Sequence, residues 1–327
     1  MLAVNAHGLV KKFKQTFAIR DLDLEIESGT LAGLIGPDGA GKSTLLRLLI
    51  GLLRPDKGKI EIAGFNPAGK PFQVKERVGY MPQHFSLYGD LSVAENMKFF
   101  ADLYGVKEER FAARKAELLK FSALGPFEER LARNLSGGMQ KKLALACNLF
   151  HTPEILFLDE PTTGVDPVSR QELWRLLTLL HEQGVTILMT TPYMDEAERC
   201  QQVGFIHEGR ILAYDSPGNL TAGMKDEIAE LIAPLAPSLL ALKGVPGLKS
   251  VHPFGETIHI VFETGEGRLE KVREKLEAEK IAVKSLKIIP PSFEDVFLAL
   301  TQKDTPPTPP FSKGGEKKDR KRDQIRQ

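Results

Sequence analysis

The stretch Gly36-Pro37-Asp38-Gly39-Ala40-Gly41-Lys42-Ser43-Thr44 constrains this chain more than any other. It matches the pattern G-x-x-x-x-G-K-[ST], with Gly36, Gly41, Lys42 and Ser43 at the fixed positions. The apolar run Leu31–Ile35 precedes it and Leu45–Ile50 follows, which is the strand–loop–helix setting the pattern requires. Glycines let backbone N–H groups turn inward around phosphate oxygens. A helix opening near Lys42 aims the positive end of its dipole at the same anion. In this pattern Lys42 reaches the β- and γ-phosphates and Ser43 ligates Mg2+. The competing reading is an ordinary Gly-rich turn.

A second acidic element fits the first. Ile155-Leu-Phe-Leu-Asp-Glu160 is an apolar strand ending in two acids. Asp159 would hold Mg2+, directly or through water. Glu160 would polarise the attacking water as a general base. Around these, β and α patterns alternate, with strands at Val78–Met81, Ile155–Leu158, Val185–Thr190 and Val203–Ile206. Residues 1–27 alternate apolar and polar side chains, as antiparallel strands do. Residues 92–134 read as helical. The pattern breaks around 217–235, where Pro and Gly rise. Residues 250–300 then read strand, helix, strand, helix, with strands at Ile258–Phe262 and Ala282–Ile289 and helices at Glu270–Glu279 and Phe293–Leu300. Alternation of this kind implies a mostly parallel sheet covered by helices.

The chain of 327 residues has an expected division into two folded parts and a tail. Segment 301–327 carries eight Lys/Arg against four Asp/Glu, and the remainder 36 against 39. The body is therefore near neutral and shows no footprint for nucleic acid. The tail is rich in Pro, Gly and charge and is expected to be disordered, either simply solvated or touching anionic lipid. Cys147 and Cys200 make neither a disulfide framework nor a metal set and are assigned to packing. Trp174, on an amphipathic helical pattern, is expected to be half-buried. No apolar run reaches the roughly 18 residues of a membrane span, and no signal-peptide pattern opens the sequence. A membrane role is expected to run through a partner.

Leu135-Ser-Gly-Gly-Met139 precedes the helical run Lys141–Ala146. Ser136, Gly137 and Gly138 read either as an ordinary helix cap or as a second anion site. With the phosphate loop and the acid pair, this stretch resembles the ABC transporter ATP-binding subunits. Met139 stands where that family usually has Gln. The resemblance implies an α/β fold of the P-loop NTPase, ABC ATPase type, with a mixed sheet, a helical subdomain and an antiparallel β subdomain. It places that domain at 1–220, the helical part at about 84–135, and a small C-terminal α/β domain at 221–300. It implies ATP and Mg2+ as cofactors and an ATPase activity coupled to transport. It gives Gln83 a place in the Q-loop, where it senses Mg2+ and the membrane partner. Phe13 would stack on adenine, its alternative being a core strand residue. Gly164-Val-Asp166 resembles the D-loop at a dimer interface. The ending Pro291-Ser-Phe-Glu-Asp-Val-Phe-Leu298 resembles that of drug-export (daunorubicin-resistance-like) subunits, which work with ABC-2-type permeases. The implied partners are an ABC-2-type membrane permease subunit and a second ATP-binding subunit, at the cytoplasmic face of the inner or plasma membrane.

The chain departs from the family in one place that matters. The family carries a histidine where Pro192 stands in Leu188-Met-Thr-Thr-Pro-Tyr-Met194. Proline has no side-chain donor and cannot hold Glu160 and the attacking water. Loss of one positioned donor costs about 2.7–4 kcal/mol, or roughly 10²–10³ in rate. Slow hydrolysis at this chain's own phosphate loop is the expectation. Because each site in the family combines one chain's phosphate loop with the other's LSGG-type loop, a heteromeric pair with one weak and one strong site is expected over a homodimer. Two other readings stand beside the exporter: a soluble ABC ATPase of translation or repair, and a regulatory subunit whose ATP is structural. Asp38, where Asn is commoner, changes little.

Overall fold

The computed structural model describes residues 1–84, 87–262 and 268–304. Two long strands open the chain, β1 (Leu2–Phe13) and β2 (Thr16–Glu27), joined by a tight hairpin. The fully buried β3 (Leu31–Ile35) runs into the phosphate loop and helix α1 (Lys42–Leu49). Then come β4 (Lys57–Ile62), the short α2 (Pro71–Lys75) and β5 (Val78–Met81). A helical excursion follows, α3 (Val93–Leu103) and α4 (Glu108–Ser122), closed by α5 (Gly137–Cys147). Helix α3 starts where a capping box forces it to: Ser92 Oγ accepts from the Glu95 N–H, and Glu95 accepts from the Ser92 N–H. Strands and helices next alternate as β6 (Ile155–Asp159), α6 (Pro167–Glu182), β7 (Thr186–Thr191), α7 (Met194–Ala197) and β8 (Gln202–His207). The order continues with β9 (Arg210–Asp215), α8 (Pro217–Ala222), β10 (Glu227–Ile232), α9 (Leu235–Leu242) and β11 (Leu248–Phe254). It closes with β12 (Thr257–Phe262), α10 (Arg268–Ala278), β13 (Ser285–Ile289) and α11 (Phe293–Asp304).

The described strands form three sheets. The central one has the order β5-β6-β7-β3-β8-β9, parallel except for the last strand. An antiparallel sheet β2-β1-β4 lies beside it, and a small antiparallel sheet β11-β12-β10-β13 follows in the chain. Central strands are buried on both faces, as a parallel sheet demands. Leu34, Phe157, Leu188 and Ile206 pack towards α1 and the antiparallel sheet. Ile35, Leu156, Leu158, Met189 and Phe205 pack towards α5, α6 and the helical excursion. The small sheet builds its own core with α9 and α10.

Helix α11 joins the second of these clusters. Phe293 is 1% exposed, and its ring centroid lies 4.9 Å from that of Phe205 on β8. Phe297 lies 5.5 Å from the same ring. Asp295 reaches the other way and pairs with His259 of β12 at 2.9 Å, both buried. The last helix thus touches both the central and the small sheet.

Several expectations need correction. β9, β10, α9 and β11 were not legible, and the strand expected over 282–289 is the shorter β13. Helix α11 continues to Asp304, past the expected start of the tail at 301. The rest of that tail, 305–327, lies outside the described residues. Trp174 is 4% exposed, not half-buried, because α6 packs under α5 and the Arg199 guanidinium covers its ring. Cys147 and Cys200 are buried free thiols, as expected. No helix among the described residues is long and apolar enough to cross a membrane.

Candidate active site

In an open parallel sheet the site gathers at the carboxyl ends of the strands. Here β3 delivers the phosphate loop, β6 the acid pair and β7, lying between them, a threonine. The loop cannot tolerate side chains at two of its glycines. A Cβ at Gly36 would sit 2.1 Å from the Ile206 carbonyl oxygen. One at Gly41, whose φ is +108°, would sit 2.5 Å from the Ala18 carbonyl oxygen. Ala40 is buried, and its carbonyl accepts from the Gly209 N–H at 2.9 Å. Pro37, Asp38 and Gly39 are exposed at the crest, and Ser43 and Thr44 open α1 below it. Gly41 caps α1 without a side-chain hydrogen bond, so the first N–H groups of the helix have no side chain competing for them.

Lys42 is 4% exposed, and its Nζ donates to the Gly36 carbonyl at 2.8 Å and the Pro37 carbonyl at 3.2 Å. The same ammonium lies 3.4 Å from Glu160 Oε1. Ser43 Oγ donates to Asp159 Oδ1 at 2.9 Å, and Thr190 Oγ1 donates to the same atom at 2.8 Å. The other oxygen, Asp159 Oδ2, is buried and has no partner among the described residues. An orphaned carboxylate oxygen next to a Ser hydroxyl is a donor set suited to Mg2+, a hard cation that takes oxygen ligands. The residues present therefore fit both ATP and Mg2+. The Gln83 side chain reaches the same site, where it donates to Glu160.

Glu160 is held from every side. Gln83 Nε2 donates to its Oε2 at 2.8 Å and Thr163 Oγ1 donates to the same oxygen at 3.2 Å. Its N–H reaches Thr190 Oγ1 at 3.0 Å. Its backbone is left-handed, with φ +47°, an unusual conformation for a residue with a side chain. Such strain costs on the order of 1–3 kcal/mol and is typically found at functional positions. The twist turns the carboxylate off the strand and back over the phosphate loop.

Pro192 follows Thr191 at the end of β7 and is exposed. Beside it, Thr191 Oγ1 donates at 2.6 Å to Glu196, which also accepts from Thr162 Oγ1 at 2.9 Å. Arg170 pairs with Glu196 at 2.5 Å. This buried carboxylate fastens the Pro192 turn to the start of α6 and to the chain after Glu160. No histidine hydrogen-bonds or ion-pairs with Glu160 among the described residues.

Phe13 ends β1 and is 46% exposed, so the core-strand alternative fails. The Lys11 ammonium lies 5.6 Å from the centroid of its ring, and the next strand of the hairpin comes close to Gly41 of the phosphate loop at Ala18. Ser136 caps α5, accepting from the Met139 N–H at 3.3 Å. Ser136 and Gly137 are exposed while Gly138 is buried, and none of the three hydrogen-bonds to the phosphate loop of its own chain. Asp166 caps α6 through the N–H groups of Val168 and Ser169, which hold its carboxyl below the usual carboxylate range. Sequence reasoning missed Thr163, Thr190, Lys141 and Glu196. Only Thr163, in the run Asp159-Glu-Pro-Thr-Thr163, sat close enough to a motif to be found.

A family model described as "ABC transporter" matches residues 19–163. The chain is 39% identical over 302 residues to a probable multidrug ABC transporter ATP-binding protein, YbhF, of Escherichia coli (strain K12). That match covers 91% of this chain and 52% of the relative, so the chain spans about half of that protein's length. It is 34% identical over 308 residues to the daunorubicin/doxorubicin resistance ATP-binding protein DrrA of Streptomyces peucetius, covering 91% of this chain and 92% of that one. Among solved structures, it is similar to the dimeric ATP-binding cassette MJ0796 bound to ADP and Pi. The identity there is 25% and the TM-score 0.60, over 65% of this chain and 98% of that one. The chain belongs to the ABC transporter ATP-binding proteins of the drug-export subfamily, a family of ATPases.

Proposed function

We propose that this chain is the ATP-hydrolysing subunit of a membrane exporter whose permease is of the ABC-2 type. It would act as a peripheral subunit at the cytoplasmic face of the membrane, paired with a second ATP-binding subunit. Glu160 carries the reading: one carboxylate placed over the phosphate loop and fixed by Gln83, Thr163 and Lys42. Lys42 would turn from the loop carbonyls to the phosphates, which frees Glu160 Oε1 to accept a proton from water. Bound Mg2+ would neutralise developing charge, with Ser43 and Asp159 holding it. Phe13 would stack on the base, and the N–H groups of residues 39–44 would cradle the phosphates. The exposed Ser136 and Gly137 would meet the nucleotide of the second subunit. The small C-terminal unit is proposed as an accessory domain.

The permease would seat in a groove of about 1190 Å³ between the central sheet and the helical excursion. Its wall combines exposed Leu52, Phe72 and Leu103 with Lys75, Lys107 and Arg110. A short amphipathic helix with an acidic edge, from the cytoplasmic side of a membrane subunit, suits that surface. Strand β5, which lines the groove at Val78 and Tyr80, leads directly to Gln83, so occupancy can be sensed at the site.

We further propose that hydrolysis at this chain's own loop is slow, since Pro192 supplies no donor where the family has histidine. Steady-state ATP turnover of wild type, Pro192→His and Glu160→Gln tests this. A wild-type rate near that of Glu160→Gln, rising by about 10²-fold in Pro192→His, is the expected result. A normal wild-type rate, unmoved by Pro192→His, rejects slow hydrolysis and the asymmetric pair with it. A wild type that binds ATP yet does not turn over even as Pro192→His favours the regulatory reading.

A further inference from the structure

Helix α5 carries two chemically distinct surfaces. Its N-terminus presents Ser136 and Gly137 to solvent. On its second turn, Lys141 sends its ammonium inward to the Gln83 carbonyl at 2.8 Å. That is the one hydrogen bond to the Gln83 backbone among the described residues; β5 has already ended at Met81. The Gln83 side chain then donates to Glu160 at 2.8 Å. A continuous polar path therefore runs from α5 through the Gln83 segment to the carboxylate over the phosphate loop. Burial pushes the Lys141 ammonium down, and the charges of Asp159 and Glu160 draw it back up. Burial prevails, and the ammonium stays below its ordinary value.

Its neighbours on the helix fix α5 elsewhere. Gln140 Nε2 donates to the Ala132 carbonyl at 3.1 Å, and Lys142 pairs with Glu172 of α6 at 2.8 Å. Gly138 packs so closely on Ser169 that no Cβ fits. A helix held this way moves as one body, so a force on its N-terminus reaches Lys141.

We propose that Lys141 is a positioning residue that ties the Gln83 segment to α5. The setting of Glu160 in this chain's own site then depends on the position of the helix end that faces the second subunit. The inference rests on the reading of Glu160 as the general base. It adds a physical connection between one site and the other within a single helix.

The test uses the full chain, as wild type and as Pro192→His, with Lys141→Met and Lys141→Arg in each. ATP turnover, KM for Mg-ATP, thermal midpoint and hydrogen exchange of the peptide carrying Gln83 are measured. Loss of a hydrogen bond to a charged group predicts about a tenfold lower kcat in Lys141→Met. KM and the thermal midpoint should stay as they were, and exchange at Gln83 should quicken. Lys141→Arg should restore most of both. Unchanged exchange at Gln83 in Lys141→Met overturns the tether. An unchanged kcat in a hydrolysing background, or an Arg variant as impaired as Met, overturns the positioning role. If neither background hydrolyses ATP, the hydrolytic reading has failed, and the exchange result still decides the tether.

Discussion

At the scale of single residues, the two glycines after Ser136 are not equivalent. A Cβ at Gly138 would lie 2.2 Å from Ser169 Cβ, whereas one at Gly137 would lie 3.5 Å from the Gly164 carbonyl, an ordinary contact. Gly138→Ala should therefore destabilise the chain by about 1–3 kcal/mol through overpacking. Gly137→Ala should fold at least as well, since alanine favours the helix by up to about 1 kcal/mol. Chemical denaturation of the two variants compares them directly. Equal midpoints would mean that α6 yields to the extra methyl. Much of this scale was readable beforehand. The spacing of Gly36, Gly41, Lys42 and Ser43 is rigid because phosphate geometry is rigid, so the motif carries its own coordinates. The acid pair after an apolar strand was readable for the same reason. Lys141 was not, because its partner Gln83 is 58 residues away, and neither was Glu196, whose bonds to Thr162 and Arg170 span 34 and 26 residues. Nothing in a local pattern encodes such a pairing. Phe13 was undecidable because an aromatic at a strand end looks alike whether it faces core or solvent.

Elements show the same division. All strands of the central sheet but β9 were legible as short apolar runs, and α3 as part of the helical reading of 92–134. β10 was not: Ile228 and Ala229, adjacent in sequence, are both buried. Alternation is lost there because α9 and α10 cover one face of the small sheet and α11 approaches the other. β9 was missed because, after an exposed Arg210, its residues are half-buried without alternation, at the edge of the sheet. Helix α11 was visible as a helix, but its attachment to β8 was not. That attachment makes a prediction. Phe293→Ala removes a fully buried ring from the cluster that also contains Trp174, and should cost about 3–5 kcal/mol. Trp174 is the sole tryptophan, so its fluorescence during urea unfolding follows that cluster alone. A Trp174 transition that stays at the wild-type midpoint would show that α11 belongs energetically to the small sheet only.

For the whole molecule, the groove and the site lie on the two ends of one short path. Leu103 and Phe72 are 65% and 76% exposed on the groove wall, and neither touches the phosphate loop. Leu103→Glu with Phe72→Glu should leave ATP binding unchanged and abolish co-purification with membranes. Retention at the membrane would put the docking surface elsewhere. The path from groove to site runs through β5 and Gln83, so ATP turnover measured with the permease present should be more sensitive to these changes than turnover of the isolated chain. The clasp between Phe205 and α11 has a further consequence, for how the chain is made. Phe205 leaves the ribosome roughly 90 residues before Phe293, a delay of about five to twenty seconds at ordinary rates of synthesis. During that interval the motifs for nucleotide are all present, yet the Phe205 ring lacks its two aromatic partners from α11. Until α11 arrives the nascent chain exposes apolar surface of the kind that chaperones shield, and the pace of synthesis sets how long that exposure lasts.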